Sequence, residues 1–200
     1  PASGLDAPLR WESTREEEVA RKGDARIRPG MLVHFDTGAE FNHYSADVQR
    51  TVPADGRFTP EQRRIYEVVL NVQKAVIDRV RPGATWQELH DLAVSMLREA
   101  GGWDESYTYG IGHFIGMEVH EHGDYLAPLE PGMVLSNEPG YYREGAFGIR
   151  IENLVAVTQP AVPEGGERRI VTRIGTEADP IYVGEAAHGT RYVVHDSRVI

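Results

Sequence analysis

The chain has no cysteine among its 200 residues. Disulfides, thiolate nucleophiles and cysteine-ligated zinc are therefore excluded, and a reducing, cytoplasmic setting is the expectation. Any bound metal must be held by oxygen and imidazole. No apolar run approaches the roughly 20 residues a helix needs to span a bilayer, and no charged-then-apolar signal segment opens the chain, so no membrane partner is expected. Basic residues are also short: 21 Lys and Arg face 31 Asp and Glu, for a formal net charge of −10. That balance repels phosphate backbones, no basic stripe offsets it, and no nucleic-acid partner is expected.

What is present describes a globular chain long enough to bury a core, with 40% apolar and 26% charged residues. Ser13 with Glu16 suggests a short charged helix in "STREEEVARKG". Met31 to Phe35 reads as a buried strand ending near Asp36-Thr37-Gly38, and "HYSADVQRTVP" as a second. A turn through Gly38–Asn42 would make them a hairpin and bring Asp36 and Asp47 together. Two helices follow. Thr59, Pro60 and Gln62 start the first, with Ile65, Val69, Val72, Val76 and Val80 as its apolar stripe. Thr85 and Glu88 start the second, with Leu89, Leu92, Ala93, Met96 and Leu97 before Gly101-Gly102. The remainder, "GIGHFIGMEVHE", "LEPGMVLSNEPGYY" and "FGIRIENLVAV", reads as strand and loop. Beyond Thr158 the texture changes to small strands or a tail, and one α+β domain with an antiparallel sheet accounts for the whole.

Asp36, Asp47, His113, Glu138 and Glu152 each put a metal-capable group where an apolar strand or a turn would prefer something else. Burying carboxylates without compensation costs several kcal/mol and drives them to take up protons. Two divalent cations about 3.5–4 Å apart would resolve the conflict and acidify a shared water. Four carboxylates and one imidazole suit Mn, Co, Fe or Zn better than Ca.

The stretches "FDTGAEFNHYSADVQRT", "GIGHFIGMEVHE", "LEPGMVLSNEPG" and "GIRIEN" resemble, in that order, the metal-ligand motifs of the pita-bread metallopeptidases. This is the family of methionine aminopeptidase, Xaa-Pro aminopeptidase and prolidase. The resemblance covers roughly residues 30–157, and the spacings of eleven between the aspartates and fourteen between Glu138 and Glu152 are most similar to those of bacterial Xaa-Pro peptidases. It implies a pita-bread (creatinase/aminopeptidase-like) α+β fold, an antiparallel sheet with helices on one face, here without the opening helices. Residues 1–157 would form a shortened catalytic domain and 158–200 its C-terminal extension or a tail.

The same resemblance implies two divalent ions and hydrolysis of an amide next to proline, in an aminopeptidase or a dipeptidase. Asp36 would chelate one ion, Asp47 and Glu152 would bridge both, and His113 with Glu138 would complete the second. Glu138 would also be the general base, His120 a substrate contact that steadies the tetrahedral intermediate, and Arg150 a holder of the bridging glutamate or the substrate. A homodimer or other homo-oligomer acting on a peptide or small-molecule substrate is implied. His34 reads as a packed or supporting histidine and His122 as an exposed one; His188 and His195 carry no assignment. One departure stands out: a family histidine expected about seventeen residues before Asp36 falls at Val19, and no histidine occurs from Pro1 to Gly30. A same-fold enzyme on a non-peptide substrate and a non-catalytic binding module therefore stay open beside the peptidase.

Overall fold

The computed structural model describes residues 26–107 and 110–158, together with the backbone of three strands at 169–175, 180–185 and 191–194. The charged helix expected around Ser13 lies outside these residues. Strand β1 (Leu32–Thr37) pairs antiparallel with β4 (Val48–Pro53), Asp36 opposite Gln49 and His34 opposite Thr51. The connection differs from the expected turn through Gly38–Asn42. A smaller hairpin, β2 (Glu40–Phe41) with β3 (Tyr44–Ser45), caps the larger one and reverses at Asn42 and His43. Both residues have positive φ, 50° and 68°, as a two-residue turn matching the strand twist requires. Gly38 instead permits close approach: a Cβ there would lie 1.8 Å from the Ala46 carbonyl oxygen.

Helix α1 (Pro60–Ile77) begins with Thr59 and Gln62 in a reciprocal capping box, and α2 (Trp86–Gly101) with Thr85 and Glu88 in another. The first helix stops before Val80, which is buried just beyond its end; the restriction that Pro82 places on Arg81 helps to keep the chain from continuing as helix. Gly102, in the left-handed region at φ 71°, closes the second. A 3-10 turn follows at Trp103–Ser106.

The two helices pack on each other and bury two connected apolar groups. Val72 and Val76 join Leu89, Ala93, Leu97, Ile111, Leu135 and Val155 in one, while Ile65 and Val69 join Leu32, Tyr141, Ile149 and Ile151 in the other. Helix α1 thus spans both clusters. Strands β5 (Val134–Asn137) and β8 (Asn153–Ala156) begin a five-stranded antiparallel sheet of order β5-β8-β11-β10-β9, completed by β9 (Arg169–Gly175), β10 (Pro180–Glu185) and β11 (Arg191–Val194). A separate pair, β6 (Gly140–Arg143) and β7 (Phe147–Arg150), lies between β5 and β8 in sequence. The chain therefore changes sheet twice, at Glu138-Pro139 and at Ile151-Glu152. Both glutamates sit at these crossings. Among the described residues no helix is long and apolar enough to cross a membrane.

Candidate metal centre

Four segments deliver the acidic and imidazole groups to one place. Residues 111–115 run beside β5: Glu138 N–H donates to the Ile111 carbonyl at 2.7 Å, Ser136 N–H to His113 at 2.8 Å and Ile115 N–H to Val134 at 3.0 Å. The Trp86 indole N–H donates to the Gly112 carbonyl at 3.2 Å, tying this strip to α2. The His113 backbone N–H donates to Ser136 Oγ at 3.0 Å, and that hydroxyl donates to Glu138 Oε1, also at 3.0 Å. One serine therefore positions the histidine and the glutamate together. It stands on β5 two residues before Glu138, which directly follows the strand's end, and this period-two spacing is its only signal in the sequence.

His113 is buried, and its Nδ1–H donates to the Phe114 carbonyl at 3.1 Å. This leaves Nε2 facing Asp47 Oδ2 at 3.5 Å and Glu138 Oε1 at 3.4 Å, the tautomer a metal-ligating imidazole needs. The His120 ring lies 4.4 Å from that of His113, centroid to centroid. Arg150 reaches Glu138 Oε2 with Nη1 at 3.4 Å and pairs with Asp36 through Nη2. The guanidinium is mostly covered, not on a strand surface.

Ligand atoms of three residue sets come within 4.8 Å of one another: Asp36, Asp47 and Glu152; His113, Glu138 and Glu152; and Asp47, His113 and His120. Glu152 belongs to the first two sets and Asp47 to the first and third. The seven residues singled out in the sequence are thus brought together. His122 stays exposed outside these sets; its N–H donates to Glu121 Oε1, and the other Glu121 oxygen receives the Glu118 N–H. His34 is half-buried in a role of its own. Its Nε2–H donates to the Gly148 carbonyl at 3.0 Å while the Gln49 amide donates to Nδ1 at 2.7 Å, linking β1, β4 and β7. Burial above all, opposed by that carbonyl and aided by the Arg150 charge, lowers its pKa to about 4. His188 and His195 lie outside the described residues.

Electrostatics favour cations. Burial pushes the Glu152 carboxyl well above the usual range, and the charges of Glu138 and Asp47 push it further. Glu138 is raised for the same first reason, against the opposing pull of Arg150 and His113. Asp36 is likewise raised by burial, with Arg150 opposing and Asp47 adding to it. Burial works against the His113 imidazolium, but the Asp47 hydrogen bond, the Phe114 carbonyl and the neighbouring charges prevail and raise its pKa. Glu152 Oε1 is buried without a hydrogen-bond partner. An orphaned carboxylate oxygen among mutually repelling carboxylates is what a divalent ion would satisfy, so the donor set fits a metal.

These directions set the pH response of the metal-free protein. Glu138 and Glu152 hold protons above the unfolded glutamate value of 4.5, and His113 above 6.5, so the native state binds more protons than the unfolded one there. Its stability must then fall as pH rises. His34 acts with the opposite sign, but only between about 4 and 6.5. The urea midpoint of chelator-treated protein is expected to drop from pH 6.5 to 8, and a saturating divalent metal to remove the drop. A midpoint flat in chelator would contradict the assignment of these shifts.

Residues 11–159 match the metallopeptidase family M24. The chain belongs to this family. M24 relatives include the Xaa-Pro dipeptidase of Pyrococcus furiosus, 37% identical over 151 residues, covering 74% of this chain and 41% of the relative. The Xaa-Pro dipeptidase of Lactobacillus delbrueckii subsp. lactis is 41% identical over 138 residues, or 66% of this chain and 37% of the relative. Among solved M24 structures, the Pyrococcus furiosus prolidase superposes with a TM-score of 0.64 at 38% identity, over 68% of this chain and 41% of its own. The X-Pro aminopeptidase of Thermotoga maritima gives the same TM-score at 34% identity, over 68% and 38%. The M24 chain has the pita-bread fold of these neighbours, and it spans about two fifths of the length of the relatives it matches.

Proposed function

We propose that this M24 chain forms the metal-binding part of a dinuclear peptidase that hydrolyses the amide bond next to proline. The observation that carries the reading is the sharing of Glu152 between two sets of metal-capable groups, Asp36 with Asp47 and His113 with Glu138. A carboxylate common to two sets is the donor a pair of ions requires. Asp36 would serve one ion, His113 and Glu138 the other, and Asp47 and Glu152 both. The names of the relatives, Xaa-Pro dipeptidase and X-Pro aminopeptidase, support the substrate class.

When bound, the ions would supply Lewis acidity and lower the pKa of a water to near neutrality, with Mn, Co, Zn and Fe all suited to oxygen and imidazole donors. The protein's own groups would do the rest. Glu138, on the Ser136 hydroxyl and beside Arg150, is placed to accept a proton from the attacking water and pass it to the leaving amine. Arg150, paired with both Asp36 and Glu138, offsets the repulsion between their charges and would direct a guanidinium donor to a substrate oxygen. His120, ring against ring with His113, would hydrogen-bond the substrate and steady the tetrahedral intermediate.

Element-resolved metal analysis, run with assays on an Xaa-Pro dipeptide and an Xaa-Pro-containing tripeptide, tests this. Two divalent ions per chain and release of the residue preceding proline are expected. Cleavage of the dipeptide alone would assign the dipeptidase type, and of the tripeptide the aminopeptidase type. Two tightly held ions with both peptides inert would transfer the site to a non-peptide substrate; no bound ion would leave a binding module.

A further inference from the structure

Glu152 stands where the chain leaves the β6–β7 pair and enters the five-stranded sheet, so neither ladder runs through it. An isolated antiparallel bridge, Gln49 with Glu152, joins it to β4, through a Glu152 N–H to Gln49 carbonyl bond of 3.0 Å. Asp47 lies two residues before Gln49, so this bridge sets how far apart the two carboxylates shared between ligand sets lie. Their own charges work against it, since Asp47 and Glu138 both repel the Glu152 carboxylate.

The residue beside the bridge is Arg50. Its Nη1 donates to both carbonyls of the bridge, Gln49 at 2.8 Å and Glu152 at 2.5 Å, and its Nη2 donates to Asn153 Oδ1 at 2.7 Å. Asn153 is in turn the β-partner of Asn137, the residue preceding Glu138. One guanidinium thus spans the segments of Asp47 and Glu152 and touches the residue registered against that of Glu138. It differs from Arg150 in what it binds. Arg150 pairs with carboxylates, whereas these three bonds of Arg50 go to main-chain and amide oxygens that close the bridge.

We propose that Arg50 is a positioning residue that locks the Gln49–Glu152 bridge and so sets the separation of Asp47 and Glu152 for two adjacent cations. The proposal rests on the dinuclear reading above. A planar fork with donors on two nitrogens meets three oxygens in this way; a lysine ammonium keeps the charge but not the geometry.

Manganese titration of the wild type, Arg50→Lys and Arg50→Met, followed by electron paramagnetic resonance, tests it. The spectra report free ion, bound ion and the spin coupling of an adjacent pair, and circular dichroism with thermal melting of the metal-free proteins reports the fold. In the wild type two ions with a coupled spectrum are expected. In Arg50→Met the first ion should bind nearly as before and the second about ten- to a hundredfold more weakly, with the coupled spectrum lost, as for other groups that orient metal ligands. Arg50→Lys should fall between. Wild-type affinities and coupling in both variants would overturn the proposal while leaving the dinuclear reading intact. Loss of the fold in both variants would also overturn it, by assigning Arg50 to stability alone. Fewer than two ions in the wild type itself would instead defeat the dinuclear reading.

Discussion

Replacing Glu152 by alanine is expected to abolish metal-dependent turnover and, in the metal-free protein, to raise stability. The two effects have one cause. Glu152 is only 1% exposed, one of its oxygens is buried without a partner, and Glu138 and Asp47 repel it. Without a cation such a carboxylate is a buried charge, or a proton taken up at a cost, and removing it relieves the strain between neighbours. With cations it is the donor common to both ligand sets, and its loss leaves each one short. Turnover of an Xaa-Pro peptide should fall by at least about 10³-fold, or roughly 4 kcal/mol of barrier. The metal count should drop below two per chain. Glu152→Gln should reproduce the loss of activity with less disturbance of packing. Full activity in either variant, or a chelated Glu152→Ala protein that unfolds at lower urea than the wild type, would count against the shared-ligand assignment.

The second large effect is expected at Gly112. A Cβ built there would lie 2.0 Å from the Ser136 carbonyl oxygen and 2.6 Å from its carbon, so backbone and not a yielding side-chain tip stands in the way. The strip bearing His113 would have to move off β5, breaking the Ser136 hydroxyl link from His113 to Glu138 and the Trp86 bond to the Gly112 carbonyl. Gly112→Ala should destabilise the fold by on the order of 3 kcal/mol and weaken metal binding with it. Denaturant unfolding with and without metal separates the two losses. A variant with unchanged midpoint and metal affinity would show that the strip can shift freely, contrary to the packing seen around Ser136.

Local signals in the sequence were legible where they acted over a few residues. Thr59 with Gln62 and Thr85 with Glu88 announced both helix starts, because a capping box is a four-residue event. The end of α1 was less clear, since the apolar spacing runs on to Val80 although the helix stops at Ile77. The reversal at Asn42-His43 was missed because neither residue is glycine, and positive φ at an asparagine and a histidine is a local strain that composition does not announce. Long-range pairings were the least accessible. Nothing in residues 169–194 indicated that β11 would lie beside β8, or that residues 111–115 would run along β5. No single acid is conspicuous, and the metal-capable residues are legible only as a constellation, in motifs whose order resembles that of a metallopeptidase. Ser136, Gln49 and Arg50 could not be named in advance, since what they do depends on partners up to 103 positions away.

The place of Glu152 in both ligand sets has a consequence for how the protein is made. Asp36, Asp47, His113 and Glu138 all precede it in the chain, and contacts of such long sequence separation form late in folding. Neither set is complete until the ribosome has passed residue 152. A pair of ions sharing Glu152 could therefore be taken up only after residue 152 has joined the earlier segments.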